Sequence, residues 1–144
     1  MLDVVVDTNV LVRAFLRPDS SDGEIIRRVV DRKLNLYISQ EQFKELVRVL
    51  QYPRLQKYDV NDATVATFLK TIVSFGKFVI PQKTDLWRDK HDNAILGTAL
   101  VLIGKNQVFL ITADKDLLVL KGKVDRIDIL TPQEFLKSVR LSGR

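Results

Sequence analysis

Cysteine is absent from the 144 residues, and histidine and tryptophan occur once each. Without thiols there is no disulfide, no thiolate zinc site and no cysteine nucleophile, and a reducing compartment is permitted. A metal ion would have to be held by oxygen ligands or by the lone His91. Six glycines and four prolines are too few for a low-complexity or collagen-like chain. No apolar run reaches the roughly 18 residues of a membrane span. The apolar start MLDVVVDTNVLV carries Asp3 and Asp7 and lacks a basic leader and a small-residue cleavage site. The expectation is a cytoplasmic protein with no membrane partner.

What is present is the composition of a globular protein, 46% hydrophobic and 28% charged. The length suits one domain over residues 1–144, and a domain of this size buries roughly 68 to 70% of its unfolded surface. Lys and Arg number 23 against 18 Asp and Glu, a formal charge of +5. That excess favours a polyanionic partner such as nucleic acid, since basic groups release counterions condensed on phosphates. Basic residues also simply solvate surfaces, so charge alone does not decide.

Short runs rich in Val, Ile and Leu read as buried strands: Leu2 to Val6, Leu36 to Ile38, Lys77 to Ile80, Val108 to Ile111 and Ile127 to Leu130. Between them lie amphipathic helices at Ser21 to Lys33 and Gln40 to Leu50, with apolar residues at Ile25, Ile26, Val29, Val30 and at Phe43, Leu46, Val47, Leu50. Ser39 with Gln42 has the spacing of a capping box, and Pro53 closes that helix. Further helices are predicted over Asn61 to Phe75, Asp89 to Ile103 and Thr131 to Val139, the last opened by Pro132. Strand and helix alternate, so the expected fold is α/β, a three-layer α/β/α sandwich on a mostly parallel sheet of about five strands.

In such a fold ligands bind beyond the carboxyl ends of the strands. Asp7 directly follows the first strand, with Thr8 and Asn9 in the turn behind it. Asp114 stands just past Val108 to Ile111, in the run Thr112, Ala113, Asp114, Lys115, Asp116. Asp92 falls in the first turn of the fourth predicted helix, and Glu45 about one and a half turns into the second, at the border of its buried face. Asp89 and Asp116 could join as outer members. Each acid singly has a plainer reading, as an Asx-turn, a helix cap or a solvated helical Glu. Three Asp residues placed independently at one edge of one sheet shift the balance. Packed carboxylates repel one another unless cations neutralise them, and oxygen ligands select Mg²⁺ or Mn²⁺ over zinc. Such ions support in-line hydrolysis of phosphodiesters.

At this point the sequence resembles the PIN-domain nucleases, and among them the toxin components of toxin–antitoxin pairs, the VapC-like branch. The resemblance rests on Val4 to Val12 around Asp7, on Glu45 to Leu50 followed by Pro53-Arg54-Leu55, on Asp89-Lys90-His91-Asp92-Asn93, and on Leu110 to Leu118 around Asp114. All four occur in order over nearly the whole chain. The resemblance implies a PIN-like fold and a Mg²⁺- or Mn²⁺-dependent endoribonuclease. Asp7, Glu45, Asp92 and Asp114 correspond to the metal-binding and catalytic acids, Asp116 to a supporting fifth, and Asn9 and Thr112 to groups that orient them. It implies a small antitoxin protein as partner and a possible homodimer. Two departures stand out: Ala113 where the family commonly has Gly, and Gly104-Lys105-Asn106-Gln107 as the connection after the fourth helix.

The remaining groups carry less. His91 reads better as a surface or capping residue than as a base, and Trp87 better as packing than as a stacking platform for RNA. Arg13, Arg17, Arg27, Arg28, Arg48, Arg54 and Lys57 could grip phosphates near the mouth of the site. The rival readings are a non-catalytic PIN-fold module that binds RNA or protein, and an Asp-based phosphotransfer domain. The second is weakened by Asn9, which stands where a haloacid-dehalogenase-type phosphatase wants a second acid.

Overall fold

The computed structural model of the protein describes residues 1–58, 60–84, 90–104 and 107–141, with the side chains of 54, 56, 57, 90–92 and 141 excepted. The elements run β1 (Leu2–Val6), α1 (Thr8–Leu16), α2 (Ser21–Val30), β2 (Leu34–Ile38), α3 (Gln40–Val49), a 3-10 helix (Pro53–Tyr58), α4 (Asp62–Phe75), β3 (Gly76–Phe78), α5 (Lys90–Val101), β4 (Val108–Ile111), α6 (Lys115–Leu118), β5 (Ile127–Leu130) and α7 (Pro132–Leu141). The five strands form one sheet in the order β3-β2-β1-β4-β5, and every neighbouring pair is parallel. The sheet is thus wholly rather than mostly parallel.

Alternate side chains of β1 serve opposite faces, as a strand's period of two requires. Val4 and Val6 point into a large apolar cluster with Leu11 of α1, Ile25 of α2, Leu46 of α3, Ile72 of α4 and Phe135 of α7. Val5 points the other way, into a cluster with Ile95, Leu96 and Ala99 of α5 and Leu117 of α6. These are the three layers the alternation of elements predicted.

Of the differences from expectation, three stand out. β1 ends at Val6 as expected, but after Asp7 the chain enters α1 at once, a helix where a turn was read. Periodicity could not show this, because a central strand and a helix buried on its inner side are both almost continuously apolar. Pro53 opens the 3-10 helix, and α3 has already ended at Val49. The edge strand β3 comes earlier and shorter than Lys77 to Ile80, and Ile80 is 87% exposed. Gly97, in the middle of α5, lets the chain at Gln82 cross close by: its carbonyl accepts a hydrogen bond from the Gln82 N–H at 3.0 Å, and a Cβ there would come within 2.2 Å of the Gln82 oxygen. No helix among the described residues is long and apolar enough to cross a membrane.

Candidate functional site

The chain lays down β1, β2 and β3 in one direction from the centre of the sheet and then returns to place β4 on the other side of β1. That reversal leaves a crevice between the carboxyl ends of β1 and β4, the position where open parallel sheets bind ligands. Asp7 ends β1 on one side of it and Thr112 follows β4 on the other. The Asp7 N–H bonds the Ile111 carbonyl at 2.9 Å, which ties the two strand ends together.

Asp7 is only 8% exposed. It occupies the cap position of α1, yet its carboxylate makes no capping hydrogen bond to that helix. Instead Oδ2 accepts the Thr112 hydroxyl at 2.7 Å, and the Thr112 Oγ1 in turn accepts the Asp114 N–H at 2.9 Å. One fully buried hydroxyl thereby links the two acids and fixes their relation. Burial raises the Asp7 carboxyl above the ordinary carboxylate range; the Thr112 hydroxyl and the Thr8 N–H oppose the rise, and the charges of Asp114 and Glu45 add to it. A carboxylate in this setting is short of positive charge.

Asp114 is half-buried and also does structural duty, since its Oδ1 accepts the Asp116 N–H at 2.9 Å and caps α6. The plain reading as a helix cap therefore holds for this residue, which the Thr112 hydroxyl also links to Asp7. Glu45 is half-buried on α3 and near enough to act on Asp7. It lines a cleft of about 330 Å³ with Gln42, Arg48 and, from α5, Ala94 and Ile95. Asp92 lies in the first turn of α5, two residues before that wall, and its side chain falls outside the described residues. The side chain of His91 does too, and Asp89, Trp87, Lys105 and Asn106 lie wholly outside them. Asp116 is exposed on α6 and is not among the charges acting on Asp7. Asn9 is exposed and lines a different cleft, along α1. Among the described residues, no three carboxylates stand close enough together to hold a metal ion by themselves.

Gln42 was missed as a member of this arrangement. Ser39 caps α3 as its spacing predicts, accepting the Gln42 N–H at 3.1 Å, but the Gln42 side chain does not return to close the box. It is buried, and its Nε2 donates to the Val6 carbonyl at 2.5 Å, so α3 with Glu45 is tied to the residue before Asp7. Its Oε1 is buried with no partner among the described residues. A hydrophobic or helix-capping pattern gives no hint of such a bridge. Gln42→Leu strands the Val6 carbonyl, a loss of about 1 to 3 kcal/mol that is partly offset by removing the orphan oxygen. Chemical denaturation should show a net destabilisation near about 1 kcal/mol.

The family profile that matches the chain is that of the PIN domain, over residues 3–116. An uncharacterized protein of Methanocaldococcus jannaschii is 28% identical over 144 residues, covering 94% of this chain and 90% of that protein. Among solved structures the fold is similar to a chain in the crystal structure of VapBC2 from Rickettsia felis bound to a DNA fragment from their promoter. The TM-score is 0.56 at 12% identity, over 89% of this chain and 97% of that one.

Proposed function

Since the chain belongs to the PIN-domain family, whose members are nucleases, we propose that it is a divalent-metal-dependent endoribonuclease, acting as the toxin of a toxin–antitoxin pair in the cytoplasm. The observation that carries the reading is Asp7: a carboxylate buried at the sheet's reversal point, bonded by the Thr112 hydroxyl, and facing the charges of Asp114 and Glu45. An all-oxygen donor set with unneutralised negative charge suits Mg²⁺ or Mn²⁺. Asp7, Glu45, Asp92 and Asp114 would hold the ion, with Asp116 as a peripheral acid. When bound, the ion neutralises the carboxylates, lowers the pKa of nearby water and shields the phosphodiester in the transition state.

The rest is the work of the chain. Thr112 keeps one Asp7 oxygen occupied, so the carboxylate presents its other oxygen in one orientation. The capped end of α6 does the same for Asp114. In the reaction a water oxygen bonds to phosphorus as the bond to the leaving ribose oxygen breaks, and the water's proton passes to solvent or to that oxygen. The fold likeness to a chain of VapBC2 supports a small antitoxin partner, and a homodimer belongs to the same reading.

The test is cleavage of an end-labelled mixed RNA pool by the purified protein with Mg²⁺, with Mn²⁺ and with EDTA. Cutting with either metal and none with EDTA is the expected result. RNA bound but left intact with both metals would favour a non-catalytic module. Acid-stable labelling of Asp7 by acetyl phosphate would revive phosphotransfer.

A further inference from the structure

Helix α1 begins directly after Asp7, and three polar residues follow at four-residue steps: Asn9, Arg13 and Arg17. That spacing puts Asn9 and Arg13 on one face of the helix, away from the buried Val10, Leu11 and Ala14, and Arg17 is its C-cap, with its N–H on the Arg13 carbonyl. All three are exposed. Together with Leu55 and Tyr58 of the 3-10 helix they line a cleft of about 510 Å³. From Asn9 to Arg17 is eight residues, roughly 12 Å along a helix axis, long enough to meet more than one phosphate.

Arg13 is also more than a solvating arginine. Its guanidinium lies 3.9 Å from Oδ2 of Asp22, a carboxylate in the first turn of α2 whose side chain is 3% exposed, while half of the Arg13 side chain stays open to solvent. That Asp22 oxygen has no hydrogen-bond partner among the described residues. A carboxylate so placed is costly to bury, and its field holds the arginine at the cleft without consuming its donors at this distance. Tyr58, 39% exposed, also lines the cleft, where a base could stack on its ring.

We infer that the cleft lined by Asn9, Arg13, Arg17 and Tyr58 is the track along which a single-stranded RNA runs up to Asp7. Arg13 and Arg17 contact its phosphates, and Asp22 is a positioning residue for Arg13. The inference rests on the ribonuclease reading and adds the direction from which the substrate enters. It makes the recognition along α1 independent of base sequence, because phosphate contacts carry no sequence information.

The experiment measures the dissociation constant of a labelled mixed-sequence RNA oligonucleotide over a series of KCl concentrations. Asp7→Asn protein serves as the background so that the RNA stays intact. In that background Arg13→Ala and Arg17→Ala should each weaken binding about three- to tenfold and flatten the salt slope by about 0.7, the value for one lost phosphate contact on a single strand. Lys123→Ala removes the same charge at the amino-terminal side of β5 and should change neither quantity appreciably. Tyr58→Ala should weaken binding while leaving the salt slope unchanged, since stacking releases no counterions.

Equal effects from Arg13→Ala and Lys123→Ala would overturn the inference, reducing it to net charge. If the arginine variants bind RNA normally and wild-type protein still cuts with Mg²⁺ or Mn²⁺, the track is wrong and the nuclease reading survives. Loss of a co-purifying protein partner with RNA binding intact would assign the cleft to protein instead. Wild-type protein that neither binds nor cuts RNA would defeat both.

Discussion

Replacing Asp7 by Asn should lower RNA cleavage by at least about 100-fold, since losing even a group that only supports a metal ligand costs 10- to 100-fold. The same substitution should make the metal-free protein more stable at neutral pH. The two effects have one origin. The amide keeps an oxygen to accept the Thr112 hydroxyl, so the link between β1 and β4 survives. What disappears is a buried negative charge facing Asp114 and Glu45.

The sign follows from linkage. Burial, joined by the charges of Asp114 and Glu45, raises the carboxyl's pKa in the folded protein. The folded state therefore binds this proton more tightly than the unfolded chain does. Its contribution to stability is fullest below the unfolded pKa and is lost as pH rises through the folded one. Metal-free wild-type protein should accordingly lose stability relative to Asp7→Asn as the pH moves from acid toward neutrality. Saturating Mg²⁺ or Mn²⁺ should restore it in wild type alone, by about 2.7 kcal/mol at a hundredfold excess over Kd. Thermal melts of both proteins across pH, with and without metal, read all of this. A variant that cuts RNA normally, or that melts identically to wild type at every pH, would remove Asp7 from the site.

Phe135→Ala should act in the opposite way, on the fold and not on the chemistry. Phe135 is fully buried on α7 and meets Phe109 of β4 edge to face, with ring centroids 5.3 Å apart. Truncating a buried Phe leaves a cavity and costs about 3 to 5 kcal/mol, a large part of the roughly 5 to 15 kcal/mol that holds a domain together. Denaturant unfolding should show that loss. At low temperature, where the variant remains folded, its KM for RNA should match wild type, because Phe135 lies in the apolar core against Phe109 of β4. An unchanged denaturation midpoint would mean that α7 packs elsewhere.

The parts of the molecule legible in the sequence were those where pattern and physics coincide. β1, β4 and β5 were read residue for residue, since short runs rich in Val, Ile and Leu bounded by turn residues favour buried strands. The start of α3 was marked by Ser39. α1 was invisible because Val10 to Val12 continues the apolar character of Val4 to Val6, and α6, only four residues long, is too short for a periodicity to register. At the site, Asp7 and Asp114 could be placed by counting from strand ends. Thr112 was supplied by the family resemblance, while Gln42 was not supplied at all. Its role depends on how far α3 leans over β1, a tertiary relation that no local spacing encodes. The same is true of the cleft along α1: the four-residue ladder of Asn9, Arg13 and Arg17 is plain in the sequence, but only once α1 is known to be a helix.

The hydroxyl of Thr112 and the carboxylate of Asp7 are 105 residues apart in the chain. A ribosome makes Asp7 105 residues before Thr112. Domains begin folding from the amino terminus during synthesis, yet β1 can only wait beside β2 until β4 arrives to complete its other edge. Until then the emerging chain carries Asp7 without the Thr112 hydroxyl that links it to Asp114. The long reach of the Asp7–Thr112 bond thus makes the assembly of this corner of the sheet wait for its fourth strand in chain order.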